Sequence, residues 1–107
     1  MHIQTTEINE YTKITITKER FDVAIMKELK DEIGKVLEDK SKILIDMSMV
    51  NFLDSSGLSV LISILKSLNK IKDSDFKLCS LNKQPYELME MTQLYNVFDI
   101  RRDCDAS

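Results

Sequence analysis

The chain has 107 residues, a net charge of −3 and two cysteines, a length at which one domain buries roughly two thirds of its unfolded surface without needing a metal or disulfide. Its charged and apolar fractions are those of an ordinary soluble protein. No Lys or Arg cluster could neutralise a run of phosphates, since Lys18 and Arg20, or Arg101 and Arg102, are too few and too scattered, and this excludes a nucleic-acid binder.

The N-terminal run lacks a basic stretch followed by an apolar one, and no apolar stretch reaches spanning length. Neither secretion nor membrane insertion is therefore expected. Segments 3–8 and 13–18 read as two strands joined at Asn9-Glu10; in the second, Ile14 and Ile16 alternate with Thr15 and Thr17. After Asp22 the period changes. Met26, Leu29, Ile33 and Val36 recur at helical spacing through about Glu38, with Asp22 as the expected N-cap. Ile43-Leu44-Ile45-Asp46-Met47 is nearly continuous and apolar, as in a central strand covered on both faces.

A turn containing Asp54 follows, then Leu58, Leu61, Ile62, Leu65 and Leu68 mark a second helix ending near Ile71. Lys72-Asp73-Ser74-Asp75 is a turn, and 76–81 a further strand. Asn82 is placed to cap a third helix with Pro85 in its first turn, where a missing N–H costs little. Segment 97–100 reads as the last strand, before a polar tail. The order is ββαβαβαβ: an α/β fold of one domain, residues 1–107, with a mixed, mostly parallel sheet, an antiparallel first edge strand and helices mainly on one face.

The cysteines fall in different settings, Cys79 in an apolar strand expected in the core and Cys104 in the tail. No disulfide framework is indicated, so a reducing, cytoplasmic compartment is expected. His2, the single histidine, stands where the chain is expected to be mobile, and leaves histidine metal sites and Ser-His-Asp chemistry almost no material. No cofactor is expected. Met26, Met89 and Met91 fit core-facing helical positions; Met47 and Met49 flank the central strand and the turn, with Met49 facing a partner as the alternative to core filling.

Chemistry concentrates in Asn51-Phe52-Leu53-Asp54-Ser55-Ser56-Gly57-Leu58, where a buried strand becomes an apolar helix. Ser55 and Ser56 could cap that helix, since a serine oxygen accepts from open first-turn N–H groups for about 0.5–2 kcal/mol. Alternatively, one hydroxyl faces solvent and is open to modification or recognition. Asp54 either orients that hydroxyl or closes the turn. Asp22 either lines the same surface or only caps the first helix. Gly57 either lets a partner approach or serves packing at the helix start, and Asp46 is read as the anchor of a backbone turn.

Leu44-Ile45-Asp46-Met47-Ser48 with Val50 to Leu58 resembles the STAS domain, and within it the bacterial anti-sigma factor antagonists: a strand with a late Asp, then Asp-Ser-Ser/Thr/Ala-Gly-Leu and an apolar helix. The likeness covers nearly the whole chain. Phe21-Asp22 stands where the family has Leu-Asp or a similar pair, and Leu88, Met91, Thr92 and Leu94 match a late Leu-x-x-Met/Leu-Ser/Thr-Gly-Leu segment. Ser59 replaces a second glycine of many antagonists, Asp73-Ser74-Asp75 a Gly-Gly, and Gln93 the glycine before Leu94. The last two are expected to alter loop geometry.

The resemblance implies phosphorylation of the first serine after the Asp, which is Ser55 with Ser56 as runner-up, by an anti-sigma factor that is also a serine kinase. It implies a PP2C-like phosphatase that restores the serine, and release of a sigma factor when the unphosphorylated form binds the anti-sigma factor. Asp22, Met49, Asp54, Ser55, Ser56, Gly57 and Ser59 are the expected partner surface. Self-association is not indicated. A different reading is a STAS subunit or scaffold of a transporter or other signalling complex. An enzyme using Ser55 as nucleophile is disfavoured, because the chain offers it no nearby general base, no Gly-rich phosphate loop and no spare histidine.

Overall fold

In the computed structural model, which describes residues 1–105, the alternating segment forms β2 (Tyr11–Ile16), with Thr12, Ile14 and Ile16 buried. Of the expected domain, 1–107, the last two residues lie outside the described residues. β2 pairs antiparallel with β1 (Ile3–Ile8) through a turn in which Asn9 is left-handed, φ 56°, a conformation asparagine tolerates. The chain continues through β3 (Arg20–Phe21), α1 (Met26–Leu37), β4 (Lys42–Asp46), β5 (Phe52–Leu53), α2 (Ser55–Asn69), β6 (Asp75–Cys79) and α3 (Lys83–Met91). A 3-10 turn (Leu94–Asn96) and β7 (Asp99–Arg101) follow.

The main sheet has the order β1-β2-β4-β6-β7, parallel everywhere except at the β1 edge. The expected element order holds, with two short strands and the 3-10 turn added. β3 and β5 form a separate parallel pair, each too short for a hydrophobic period to mark it.

Register gives the main sheet two different faces. Ile14, Ile45, Leu78 and Ile100 form one row, and this face joins Leu29, Ile33, Leu61, Ile64, Leu68 and Met89 of the helices in one core. By the alternation of a strand, the other face carries Lys13, Thr15, Leu44, Asp46, Lys77 and Cys79. Leu44, 2% exposed, lies between its register neighbours Lys13 and Lys77, so long polar side chains cover the central strand here, where helices cover the opposite face. Lys77 reaches Asp75, the Tyr11 hydroxyl at 2.9 Å and the Tyr11 ring at 4.8 Å.

Three local expectations change. The first helix begins at Met26: Asp22 is not its N-cap, because its Oδ1 accepts from the Ala24 N–H at 3.0 Å and closes a turn ahead of the helix. Met91 is 82% exposed, outside the core that Met89 joins, because two residues on from Met89 it lies about 200° around α3, on the opposite face. His2 is pinned, its backbone N–H donating to Glu32 Oε1 at 2.8 Å and its Nδ1 lying 2.6 Å from Oε2. Burial opposes charge on Glu32, yet these His2 contacts hold its carboxyl below the usual value.

Candidate functional site

The site is built where β3, β5 and the start of α2 meet. The pairings Arg20↔Phe52 and Phe21↔Leu53 continue in the Asp54 N–H, which donates to the Phe21 carbonyl at 3.3 Å. Asp22 and Asp54 are thus the next residues on adjacent parallel segments, which gathers two carboxylates at one end of the small sheet. Arg20 spans this end, its guanidinium 4.2 Å above the Phe52 ring and its Nε 3.2 Å from Asp22 Oδ2.

Asp54 has extended backbone angles and is the N-cap of α2, its Oδ1 accepting from the Gly57 N–H at 2.9 Å. Such a cap contributes about 1 kcal/mol. The helix therefore starts at Ser55, and the capping role weighed for the serines belongs to Asp54. Ser55 is exposed and Ser56 half-buried in the first helical turn. Ser59, exposed one turn on, donates from Oγ to the Ser56 carbonyl at 2.7 Å.

Gly57 is buried, and what its bare Cα admits is the protein's own β3 and β5. A Cβ there would meet the Phe21 carbonyl oxygen, Leu53 Cδ1 at 2.6 Å and Phe21 Cδ1 at 2.9 Å. Glycine is what lets α2 start so close to the small sheet.

The loop leading into β5 is held from both ends. Asp46 Oδ1 accepts from the Ser48 N–H at 3.0 Å and Oδ2 from Thr15 Oγ1 at 3.1 Å, so this carboxylate anchors a backbone turn. Met49, 48% exposed, lies within that turn, which the Val50 N–H closes onto the Met47 carbonyl at 3.0 Å.

Two α3-side residues complete the loop, and sequence reasoning missed both in this role. Asn82 sits at the α3 N-cap position but makes no side-chain cap. Its Nδ2 instead donates to the carbonyls of Ser48 at 3.0 Å and Val50 at 2.9 Å. Gln84 Oε1 accepts from the Leu53 N–H at 2.8 Å and its Nε2 donates to the Leu53 carbonyl at 2.9 Å. Nothing in the local sequence distinguishes such amides from ordinary helix-start residues, because their partners lie 31 to 34 positions away.

Against the expectation that no disulfide is indicated, Cys79 and Cys104 are bonded, with Cα atoms 5.2 Å apart. After β7 the tail returns to the polar face of the sheet and brings Cys104 beside the end of β6. Asp46 joins them, the three ligand atoms lying within 4.8 Å of one another. With the sulfurs bonded to each other and both carboxylate oxygens accepting hydrogen bonds, this cluster is a closed one. A groove of about 900 Å³ between β1 and α1 is lined by His2, Thr5, Glu28 and Glu32 among others, and none of the candidate residues lines it. Among the described residues, no helix is long and apolar enough to cross a membrane.

A family model for the STAS domain matches residues 2–106. The anti-sigma-B factor antagonist of Listeria monocytogenes is 33% identical over 95 residues, 89% of this chain and 72% of that protein. Among solved structures, an anti-sigma factor antagonist from Mycobacterium paratuberculosis has a TM-score of 0.86 at 21% identity, covering 96% of this chain and 86% of its own. The Bacillus cell fate determinant SpoIIAA in its phosphorylated form has a TM-score of 0.69 at 14% identity, covering 95% and 90%. At these identities the two structures speak for the fold.

Proposed function

The chain belongs to the STAS-domain family, and from that premise we propose that it is an anti-sigma factor antagonist switched by phosphorylation of Ser55. One observation carries the reading: Ser55 is an exposed alcohol at the first residue of a 15-residue helix whose cap is supplied independently by Asp54. Modifying Ser55 therefore removes nothing the fold depends on. The Listeria relative, described as an anti-sigma-B factor antagonist, supports the same role here.

The physics favours a switch without unfolding. A phosphoserine carries about −1.5 to −2 charges at pH 7. At a helix N-terminus that charge is stabilised by the macrodipole and the free N–H groups. Pressed into an interface, it must lose water beside Asp54 and Asp22. A penalty of roughly 4 kcal/mol there weakens binding by about a thousandfold. The unphosphorylated form binds the anti-sigma factor, a serine kinase, through a surface around Ser55 that includes Asp22, Met49, Asp54, Ser56 and Ser59, and so releases the sigma factor. A PP2C-like phosphatase restores it. In this cycle the protein is a substrate and a binding partner in the cytoplasm, and catalysis belongs to the enzymes that act on it.

The test is incubation with a kinase-competent anti-sigma protein and ATP, followed by mass spectrometry of the peptide containing Ser55. Phosphate is expected on Ser55, and Ser56→Ala should retain it. Ser55→Ala should stay folded and bind constitutively; Ser55→Asp should bind about a thousandfold more weakly. Tight binding by Ser55→Asp defeats electrostatic exclusion. No phosphate with any cognate kinase defeats the proposal and leaves the transporter-subunit or scaffold role.

A further inference from the structure

Cys79 ends β6 with no exposure, whereas Cys104, in the tail, is half-buried. The two are 25 positions apart and joined. Each sulfur also has a polar neighbour able to hydrogen-bond a thiol. Cys79 Sγ lies 3.4 Å from the Ile45 carbonyl oxygen, and Cys104 Sγ lies 3.7 Å from Ser80 Oγ. The site thus provides hydrogen-bond partners for the reduced state while holding the pair at bonding distance. The surrounding backbone also leads to the Ser55 loop: the Cys79 carbonyl accepts from the Met47 N–H at 3.0 Å, and Asp46 is the register partner of Cys79.

We propose that Cys79 and Cys104 form a reversible oxidation site whose co-reactant is a low-molecular-weight disulfide, and that oxidation latches the C-terminal segment to the polar face of the sheet. The accessible Cys104 acts first. Its thiolate attacks one sulfur of the small disulfide, forming a mixed disulfide and expelling one small thiolate. Cys79 then gives its proton to solvent and attacks the Cys104 sulfur, expelling the second. Two protein thiols lose two electrons in total, and one small disulfide becomes two small thiols. In a reducing compartment such a bond is transient and sensing rather than a permanent staple. The inference is independent of the Ser55 reading and needs no partner protein.

The reduced full chain, titrated with mixtures of reduced and oxidised glutathione, tests it by free-thiol counting, intact mass and hydrogen exchange. Both thiols should disappear together, giving a monomer two hydrogen masses lighter, and dithiothreitol should restore them. Reduction should raise amide exchange in 99–105 by roughly tenfold or more while β2, β4 and α2 keep their protection. Cys104→Ser should leave the buried Cys79 unreacted under the same titration. A lasting glutathione adduct on Cys104, a disulfide-linked dimer, or two thiols that persist in oxidised glutathione each overturns the proposal. So does unfolding of the whole domain on reduction, which would make the bond a structural staple.

Discussion

Gln84 stands in for a β-strand beside Leu53, meeting both its N–H at 2.8 Å and its carbonyl at 2.9 Å with one side-chain amide. Leu53 is fully buried and immediately precedes the cap Asp54, so this amide fixes the backbone from which the Ser55 turn departs. Gln84→Ala leaves a buried donor and acceptor unpaired and should cost about 1–3 kcal/mol in urea unfolding, with faster exchange of the Leu53 amide. Gln84→Glu should not rescue it, because a carboxylate accepts from the N–H but has nothing to donate to the carbonyl. A Gln84→Ala variant within about 0.5 kcal/mol of the parent would show the clamp to be dispensable.

The two glycines should respond to alanine with opposite signs. Gly34 lies within α1, and a Cβ there meets nothing within 4 Å; Gly34→Ala should stabilise by about 0.5–1 kcal/mol through helix propensity. Gly57 would gain the same propensity, but its Cβ collides with the Phe21 carbonyl, and backbone cannot swing aside as a side-chain tip can. Overpacking of about 1–3 kcal/mol outweighs the gain, so Gly57→Ala should lower the urea midpoint. Matching signs for the two variants would refute the close approach of α2 to β3.

What the sequence disclosed followed from how far each interaction reaches along the chain. The alternation at Ile14 and Ile16 and the helical spacing of Leu58, Leu61 and Leu68 are repeated local signals, and both became the elements they announced. The cluster Asp54 to Gly57 is legible as one turn for the same reason, since cap, alcohols and glycine are contiguous. β3 escaped because two residues hold no period. The Asn82 and Gln84 contacts and the Cys79–Cys104 bond escaped because they depend on the path of the chain through space, which side-chain type alone does not encode. Asp22 misled for a local reason: an aspartate that closes a turn and one that caps a helix look alike until the helix start is known.

Gln93 takes φ 61° and ψ 18° ahead of the 3-10 turn, and Asp73 likewise takes φ 64°. Both were expected to alter their loops in the absence of glycine; each adopts the left-handed conformation that glycine reaches freely. For an L-residue that costs about 1–2 kcal/mol, partly offset because glycine loses more freedom on folding, about 0.4–1 kcal/mol. Gln93→Gly should therefore stabilise by about 0.5–1 kcal/mol in urea unfolding. Gln93→Ala, still an L-residue at an exposed position, should show no such gain. Equal stability of the glycine and alanine variants would mean the backbone there is unstrained.

The polar face of the sheet should govern how stability varies with pH. Burial opposes the charge on Asp75, but hydrogen bonds from Lys77 and Tyr11 outweigh it and hold the carboxyl below its ordinary 3.8. Burial likewise opposes charge on Lys77, and Asp75 and Tyr11 outweigh it to hold the ammonium above its ordinary 10.5. A lowered carboxyl contributes stability that is complete above its unfolded value and is lost as pH falls through the lower folded one. A raised ammonium contributes stability that is complete below its unfolded value and is lost as pH rises through the higher folded one. The pair should therefore support a plateau between these limits, with losses on either side. Lys77→Met removes the alkaline loss outright. It also strips Asp75 of its main partner, so burial then favours the protonated carboxyl and the acid loss should shrink or reverse. Urea unfolding of parent and variant across the acid and alkaline ranges measures both limbs, and an unchanged acid limb in Lys77→Met would show that the ion pair does not set it.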